Sequence, residues 1–401
     1  MTIKIAIISD THFGFARGTE RENDCWDAAE EAFDKAKDCD LIILPGDIFD
    51  GRIPKPEDWA KSIKILSKIK KPIIAIHGTH ERRGRGLINP IEGLAYAGFL
   101  KHIHCSHEIF EIKNKKIAVY GMSGVPESYA KEVLDNWSPK PEKDAYNIFM
   151  LHQSIAPYIY NPKNPPSLRL DDLPKGFDLY ISGHIHWPEK STVHGKPFLI
   201  PGSTITTQIK KKEAEKPKGF YMIELNGKEK IEFVELENQR KIFYREFEIN
   251  HDKITDIEQK IENFLSEINE KKKPIVRVVI KGNKKAEQNF DFTRIKEKYR
   301  KKMILSITNR VVDDETTKKI KLMKDIKNKR LSIEEMGIRI LKENLKEMNA
   351  KINYDNIFET LVNGNIDVVI AELLSRIDNV KYSSKEEIKT PDKSGLNRWI
   401  K

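Results

Sequence analysis

The first half of the chain contains short runs in which aliphatic residues follow one another without alternating polar residues. Seven such runs occur within residues 1–210, at 3–8, 41–44, 73–76, 117–120, 148–151, 179–181 and 198–200. Strands that are apolar throughout are buried on both faces, as in sheets covered by helices. Apolar residues at helical spacing separate the first three runs. We therefore predict a layered α/β domain with helices on its faces over residues 1–210.

The sequence pattern changes after this domain. Four further regions are predicted: a connecting hairpin at 211–239, a smaller α+β domain at 240–312, a charged linker at 313–330 and a helical C-terminal region at 331–401. The hairpin is indicated by alternating residues on both sides of Asn226-Gly227, a pair that favours tight turns. The linker is indicated by its charge and its shortage of apolar residues.

Cysteine usage and hydropathy limit the setting in which the chain works. The three cysteines, Cys25, Cys39 and Cys105, have no CxxC spacing and cannot all pair, so neither a disulfide framework nor a thiolate zinc site is expected. No apolar run approaches the roughly 18 residues that span a bilayer, and the first strand pattern begins without a preceding leader. We therefore expect a cytoplasmic protein with no membrane partner.

Histidine and aspartate recur at one kind of position in the first domain, just after an apolar run. Five stretches share this position, and they contain Asp10 and His12, Asp47 and Asp50, Thr79 and His80, His152, and His184 and His186. In layered α/β folds, ligands bind in the crevice outside the carboxyl ends of the strands. Each stretch alone is typical of a turn, but their joint occurrence predicts a metal site.

The donor types restrict the metal. Carboxylate and imidazole ligands without thiolates suit Mn²⁺, Fe or Zn. The set of candidate ligands is large enough for two divalent ions, and such pairs suit displacement at phosphorus.

The order of these motifs resembles the calcineurin-type metallophosphoesterase superfamily. The motifs are Asp10-x-His12, Gly46-Asp47, Gly78-Thr79-His80-Glu81, His152 and Gly183-His184-x-His186. Within the superfamily, the chain is most similar to the Mre11/SbcD DNA-repair nucleases, because "IPGS" at 200–203 and "KPIVRVVIKG" at 273–282 precede a basic, helical end. The resemblance implies a β-sandwich flanked by helices, a capping domain and a Mn²⁺-dependent nuclease.

The resemblance also implies a role for each site residue. Asp47 would bridge two metals, with Asp10, His12 and His186 completing one site and His152 and His184 serving the other. His80 would stand beside the scissile phosphate as a proton donor or phosphate contact. Asp50 matches the carboxylate that orients this histidine in many superfamily phosphatases, although many nucleases of the branch carry a histidine near there.

Thr79 departs from the family pattern, which has an asparagine whose carbonyl ligates the second metal. A neutral hydroxyl is a poorer donor to a divalent cation. One interpretation is that a water or the hydroxyl replaces the amide with little loss of metal affinity. The other is that the second site binds metal weakly. We favour weak binding, which would give slow activity, dependence on high Mn²⁺ or another substrate.

Charge indicates the substrate class. Residues 1–200 hold 27 Lys and Arg against 27 Asp and Glu, whereas residues 201–401 hold 44 against 34. This asymmetry favours a polyanion such as DNA, although a solvated lysine-rich surface is an equally good interpretation. Three arginines after His80 are candidate phosphate contacts or parts of a solvated loop: Arg82, Arg83 and Arg85.

Partners follow from the resemblance alone. It implies a Rad50-like ATPase bound through the C-terminal helices, and a homodimer formed by helices near the cleft. Two alternatives to the DNA nuclease stay open. One is a phosphoesterase acting on a nucleotide or small phosphodiester, and the other is a catalytically weak DNA-binding scaffold.

Overall fold

The computed structural model describes residues 2–84, 86–159, 166, 168–250, 254–284 and 290–313. The chain divides into two compact units, Met1–Val311 and Val312–Lys401, and the elements below belong to the first unit apart from the end of the last strand. The predicted linker beyond residue 313 and the predicted helical region at 331–401 lie outside the described residues.

Two six-stranded sheets form the first domain. One contains β1 (Ile3–Ile7), β2 (Leu41–Pro45), β3 (Ile73–Ile76), β4 (Lys101–His102), β13 (Gly219–Asn226) and β14 (Lys228–Glu235), in the order β14-β13-β1-β2-β3-β4. The other contains β5 (Ser106–Ile112), β6 (Lys115–Met122), β7 (Ala145–Leu151), β10 (Leu179–Ser182), β11 (Glu189–Val193) and β12 (Lys196–Ile200), in the order β11-β12-β10-β7-β6-β5. The central strands of both sheets are parallel.

Helices and short elements complete this domain. The helices are α1 (Asp24–Ala36), α2 (Pro56–Leu66), α3 (Pro90–Tyr96), α4 (Ala130–Trp137) and α5 (Lys211–Glu215). A two-stranded sheet pairs β8 (Ile155–Ala156) with β9 (Leu168–Arg169), and single 3₁₀ turns occur at Glu127–Tyr129 and Leu170–Asp172. No helix of the described residues is both long and apolar enough to cross a bilayer.

The apolar runs are explained by burial on both faces of each sheet. Ile5 points into the core between the two sheets, where it joins Ile148 and Ile181 of the opposite sheet. Its neighbour Ala6 points the other way, into a core shared with Phe33 of α1. Since successive residues of a strand face opposite sides, both sides must be apolar. The predicted layered α/β fold, a sandwich flanked by helices, is confirmed.

The hairpin at 211–239 is part of the first sheet. β13 and β14 pair through the turn at Asn226–Lys228. β1 pairs antiparallel with β13 along the whole length of β1, from Ile3↔Leu225 to Ile7↔Tyr221. The segment that was predicted to connect two domains therefore also closes one edge of the sandwich.

A smaller three-stranded sheet follows. It has the order β15 (Ile242–Asn250), β16 (Ile275–Lys284) and β17 (Ile304–Asp313), with α6 (Ile254–Ser266) and α7 (Thr293–Tyr299). Apolar side chains of both helices and all three strands share one core. Arg240 joins this region to the sandwich, because its guanidinium donates to Asp24 Oδ1 at 2.7 Å and to the carbonyl of Glu20 at 2.8 Å.

Candidate metal centre

The carboxyl ends of five strands converge on one crevice. Asp10 and His12 follow β1, Asp47 and Asp50 follow β2, and Thr79 and His80 follow β3 in the first sheet. His152 follows β7, and His184 and His186 follow β10 in the second sheet. Parallel strands place these ends at the same edge, which is where the sequence predicted a site.

One group of donor atoms gathers four buried side chains. Oxygen or nitrogen atoms of Asp10, His12, Asp47 and His186 all lie within 4.8 Å of one another. Nε2 of His12 is 3.1 Å from Nε2 of His186, and the latter nitrogen is 3.6 Å from Asp10 Oδ1. We call this set the first ligand group.

A second ligand group consists of Asp47, His152 and His184, whose donor atoms also lie within 4.8 Å of one another. Nε2 of His152 is 3.1 Å from Asp47 Oδ2. Asp47 is common to both groups and is only 1% exposed. A buried carboxylate shared between two sets of nitrogen and oxygen donors fits a pair of divalent cations.

Backbone strain accompanies these positions. Asp10, His12, Asp47 and His184 all have positive φ, between 47° and 78°, a region that non-glycine residues seldom occupy. Such strain costs about 1–3 kcal/mol per residue and clusters at functional sites. The strained backbone lowers local stability at the four positions, and all four belong to the ligand groups.

Glycines allow the strand ends to approach closely. A Cβ at Gly46 would lie 2.4 Å from Nδ1 of His152, and one at Gly78 would lie 2.1 Å from Oδ1 of Asp47. Any larger residue would therefore displace a ligand of the second group.

Burial and mutual contact set the charges. Burial raises the pKa of Asp10 to about 6. Burial alone would raise the pKa of Asp47, but the charge of His152 holds it well below its usual value. Burial, together with the charge of His152, lowers the pKa of His184 to about 3. Asp47 is therefore ionised and His184 neutral at pH 7, the forms in which these two residues bind metals. Although burial opposes it, Asp47 raises the pKa of His152 to about 10, so His152 must lose a proton when a metal binds.

His80 lies beside the first group rather than within it. Its ring centroid is 4.9 Å from that of His12, and its side chain is 43% exposed. Its backbone N–H donates to Asp47 Oδ1 at 2.8 Å, and its Nδ1 is 2.9 Å from the backbone carbonyl oxygen of Asp50. With Nδ1 held in this way, Nε2 is the nitrogen left to meet a substrate.

Asp50 makes its short carboxylate contact with another histidine. Its Oδ1 is 3.0 Å from Nδ1 of His12, but 3.6 Å from Nδ1 of His80. The sequence predicted that the carboxylate orients His80. In the structure, the backbone carbonyl makes the closer contact with His80, and the carboxylate fixes the ring of His12.

Thr79 lies against the shared carboxylate. Its hydroxyl oxygen donates to Asp47 Oδ2 at 3.3 Å, the oxygen that also faces His152. Arg82 and Arg83 follow on the same loop and are partly exposed, whereas Arg85 lies outside the described residues.

Two buried charged residues were missed by the sequence analysis. The segment at 211–239 was predicted to be a connecting hairpin, yet it contains Glu213, 1% exposed, and Lys218, 6% exposed. Lys218 Nζ donates to the carbonyl of His186 at 2.7 Å. Composition gave no signal for this, because lysine-rich segments are usually solvated.

Comparison with a protein-family model identifies the part of the chain that carries the ligand groups. The sequence model of the calcineurin-like phosphoesterase family matches residues 3–188, the segment that supplies every residue of both ligand groups. This segment is a calcineurin-like phosphoesterase domain. In the structure, its strand ends bring these side chains together, with Asp47 common to both ligand groups and His80 beside the first.

Relatives extend the similarity beyond the phosphoesterase domain. Several of them are named DNA double-strand break repair protein Mre11, including the three that follow. The Methanopyrus kandleri protein is 28% identical over 60% of this chain, the Sulfolobus acidocaldarius protein 28% over 69%, and the Saccharolobus solfataricus protein 26% over 94%. The aligned regions span 58%, 74% and 99% of those relatives, respectively. The resemblance to the Mre11 branch is thereby confirmed.

Proposed function

We propose that this chain is a DNA nuclease that hydrolyses phosphodiester bonds with two divalent cations and acts in double-strand break repair. The observation that carries the proposal is the pair of buried ligand groups that share Asp47, with His80 beside them. The names of the Mre11 relatives support the repair role. Oxygen and imidazole donors without thiolate favour Mn²⁺, with Fe or Zn as alternatives.

The residues divide the chemistry between them. Asp10, His12, Asp47 and His186 would hold one cation, and Asp47, His152 and His184 would hold the other, with Thr79 at the edge of the second group. Bound cations would activate a water molecule and neutralise charge on the phosphate.

His80 supplies the proton in this proposal. Its Nδ1 donates to the carbonyl of Asp50 at 2.9 Å, which leaves Nε2 of this partly exposed ring to meet a substrate. A protonated Nε2 can donate to the leaving oxygen of the cleaved strand, or contact its phosphate. General acid catalysis of this kind contributes about 10²–10⁴-fold to rate.

A basic groove beside the centre supports a polyanionic substrate. It has a volume of about 570 Å³ and includes Thr207, whose hydroxyl is 2.6 Å from Nδ1 of His186. Four cationic side chains line it: Lys210, Lys211, Arg277 and Arg310. A nucleotide has too few phosphates to use the whole groove, whereas a DNA backbone could follow it, and the resulting affinity would depend strongly on salt.

The proposal includes partners. A homodimer is supported by exposed apolar side chains on and before α3, where Leu87, Ile88 and Tyr96 are 56%, 58% and 78% exposed. A Rad50-like ATPase remains a prediction from the resemblance, and the segment expected to bind it lies outside the described residues. A cytoplasmic location is likewise a prediction.

The test is Mn²⁺-dependent cleavage of a labelled linear duplex and of an aryl phosphodiester. Asp47→Asn should abolish cleavage of both substrates, because it weakens both ligand groups. Asp34→Asn, an equivalent change at an exposed position of α1, should leave both rates unchanged. Salt-sensitive duplex binding with cleavage supports the nuclease.

Two other results would support the alternatives. Aryl ester cleavage without DNA binding would indicate a phosphoesterase for small substrates. Salt-sensitive DNA binding without turnover at high Mn²⁺ would indicate a scaffold, an outcome for which Thr79 provides a reason.

A further inference from the structure

A buried ion pair lies behind the first ligand group. Nζ of Lys218 is 2.9 Å from Oε1 of Glu213, and both side chains are almost fully buried. Removing two charges from water is unfavourable, and this is offset only where further hydrogen bonds satisfy both groups. A buried pair with its full set of hydrogen bonds therefore holds the groups around it in fixed positions.

Lys218 uses all three of its N–H donors. Besides Glu213, it donates to Ser203 Oγ at 2.9 Å and to the backbone carbonyl of His186 at 2.7 Å. The ammonium therefore fixes the main chain at His186, the last residue of the Gly183-His184-x-His186 motif.

Glu213 fixes a neighbouring loop through the same carboxylate. Its Oε1 accepts from the backbone N–H of Thr207 and its Oε2 from that of Gln208, each at 3.1 Å. The hydroxyl of Thr207 is in turn 2.6 Å from Nδ1 of His186. The imidazole is thus held at its ring as well as at its backbone.

This arrangement selects the nitrogen that faces the ligand group. When Nδ1–H donates to Thr207, Nε2 is unprotonated, and this is the nitrogen that lies 3.1 Å from His12 Nε2 and 3.6 Å from Asp10 Oδ1. Hydrogen bonds to the far nitrogen of a metal-binding histidine fix its tautomer and orientation. The second group differs, because Nδ1 of His152 bonds to the backbone carbonyl of Pro45 at 2.7 Å.

We propose that Glu213, Lys218 and Thr207 are positioning residues that hold His186 as a ligand of the first group and leave the second group unaffected. The metal-binding part of this inference rests on the proposed function. The tautomer of His186 does not, since it can be measured without metal.

The experiment compares Thr207→Val, which keeps the shape and removes the hydroxyl, with Thr207→Ser, which keeps the hydroxyl. The full chain is labelled with ¹⁵N-histidine, and His186 is assigned with a His186→Gln variant. In metal-free wild type and Thr207→Ser, His186 should be protonated at Nδ1. In Thr207→Val, the Nε2–H form should appear. An unchanged tautomer in Thr207→Val would overturn the inference.

Mn²⁺ titration of the same proteins provides the second measurement. Thr207→Val and Lys218→Met should each weaken one Mn²⁺ site by about 10–100-fold and leave the other as in wild type. The matched control is Lys216→Met, the same change at an exposed lysine of the same segment. Equal weakening of both sites, or of neither, would contradict the proposed selectivity. Failure of wild type to bind two ions would refute the two-metal function, and the tautomer would still decide this inference.

Discussion

The two ligand groups share Asp47 but differ in what supports their histidines. In the first group, Nδ1 of His12 contacts the carboxylate of Asp50, and Nδ1 of His186 contacts the hydroxyl of Thr207. In the second group, Nδ1 of His152 contacts the backbone carbonyl of Pro45 at the end of β2. Backbone support comes with the fold, whereas side-chain support can be altered one residue at a time. The first group should therefore respond to substitutions outside it far more than the second.

Among substitutions outside the two ligand groups, the largest effect on cleavage should come from His80. We expect His80→Ala to slow duplex cleavage by about 10²–10⁴-fold, because it removes the proton donor while leaving the ligands in place. Mn²⁺ binding by titration calorimetry should stay as in wild type. The control is His107→Ala, since His107 is an exposed residue of β5. Loss of a Mn²⁺ site in His80→Ala would instead make His80 a ligand.

An intermediate effect on cleavage is expected from Asp50→Ala, which removes the side chain that contacts His12 of the first group. The carboxylate contact with His12 is lost, but the backbone carbonyl that holds His80 remains. One of the two Mn²⁺ affinities should fall by about 10–100-fold, and cleavage should recover as Mn²⁺ is raised. Cleavage that stays low at saturating Mn²⁺ would show that the carboxylate serves His80 instead.

The smallest effect is expected from Thr79→Asn beside the second group, and it should raise Mn²⁺ affinity rather than lower it. An amide carbonyl is a better donor to a divalent cation than a neutral hydroxyl, so the weaker Mn²⁺ site should tighten, by about tenfold or less. Thr79→Val should weaken the same site if the hydroxyl contributes. Two equally tight Mn²⁺ sites in wild type would remove the idea that Thr79 limits this group.

Sequence reasoning worked where a chemical pattern repeats locally. Apolar runs identified β1, β2 and β3 because both faces of each strand are buried. Polar motifs after those runs identified the side chains that form the two ligand groups, because strand ends share one edge of the sheet. By contrast, β15 is neither apolar throughout nor strictly alternating, and it was not predicted.

The supports of the histidines were harder to predict. Glu213 and Lys218 lie in a segment whose composition is that of a solvated surface, and only the tertiary fold buries them. The contact between Thr207 and His186 joins residues 21 positions apart and follows no periodicity. The contact between Asp50 and His12 spans 38 positions. The members of the ligand groups can therefore be predicted from motifs, whereas the side chains that orient them depend on how separate loops pack.

The central claim is that two cations bind on either side of one buried carboxylate. Anomalous X-ray diffraction at the manganese edge, from crystals grown with Mn²⁺, tests it directly. The account predicts two peaks about 3.5–4 Å apart that flank Asp47, one beside His12 and His186 and the other beside His152 and His184. A single peak at saturating Mn²⁺, or two peaks that do not share Asp47, would contradict it.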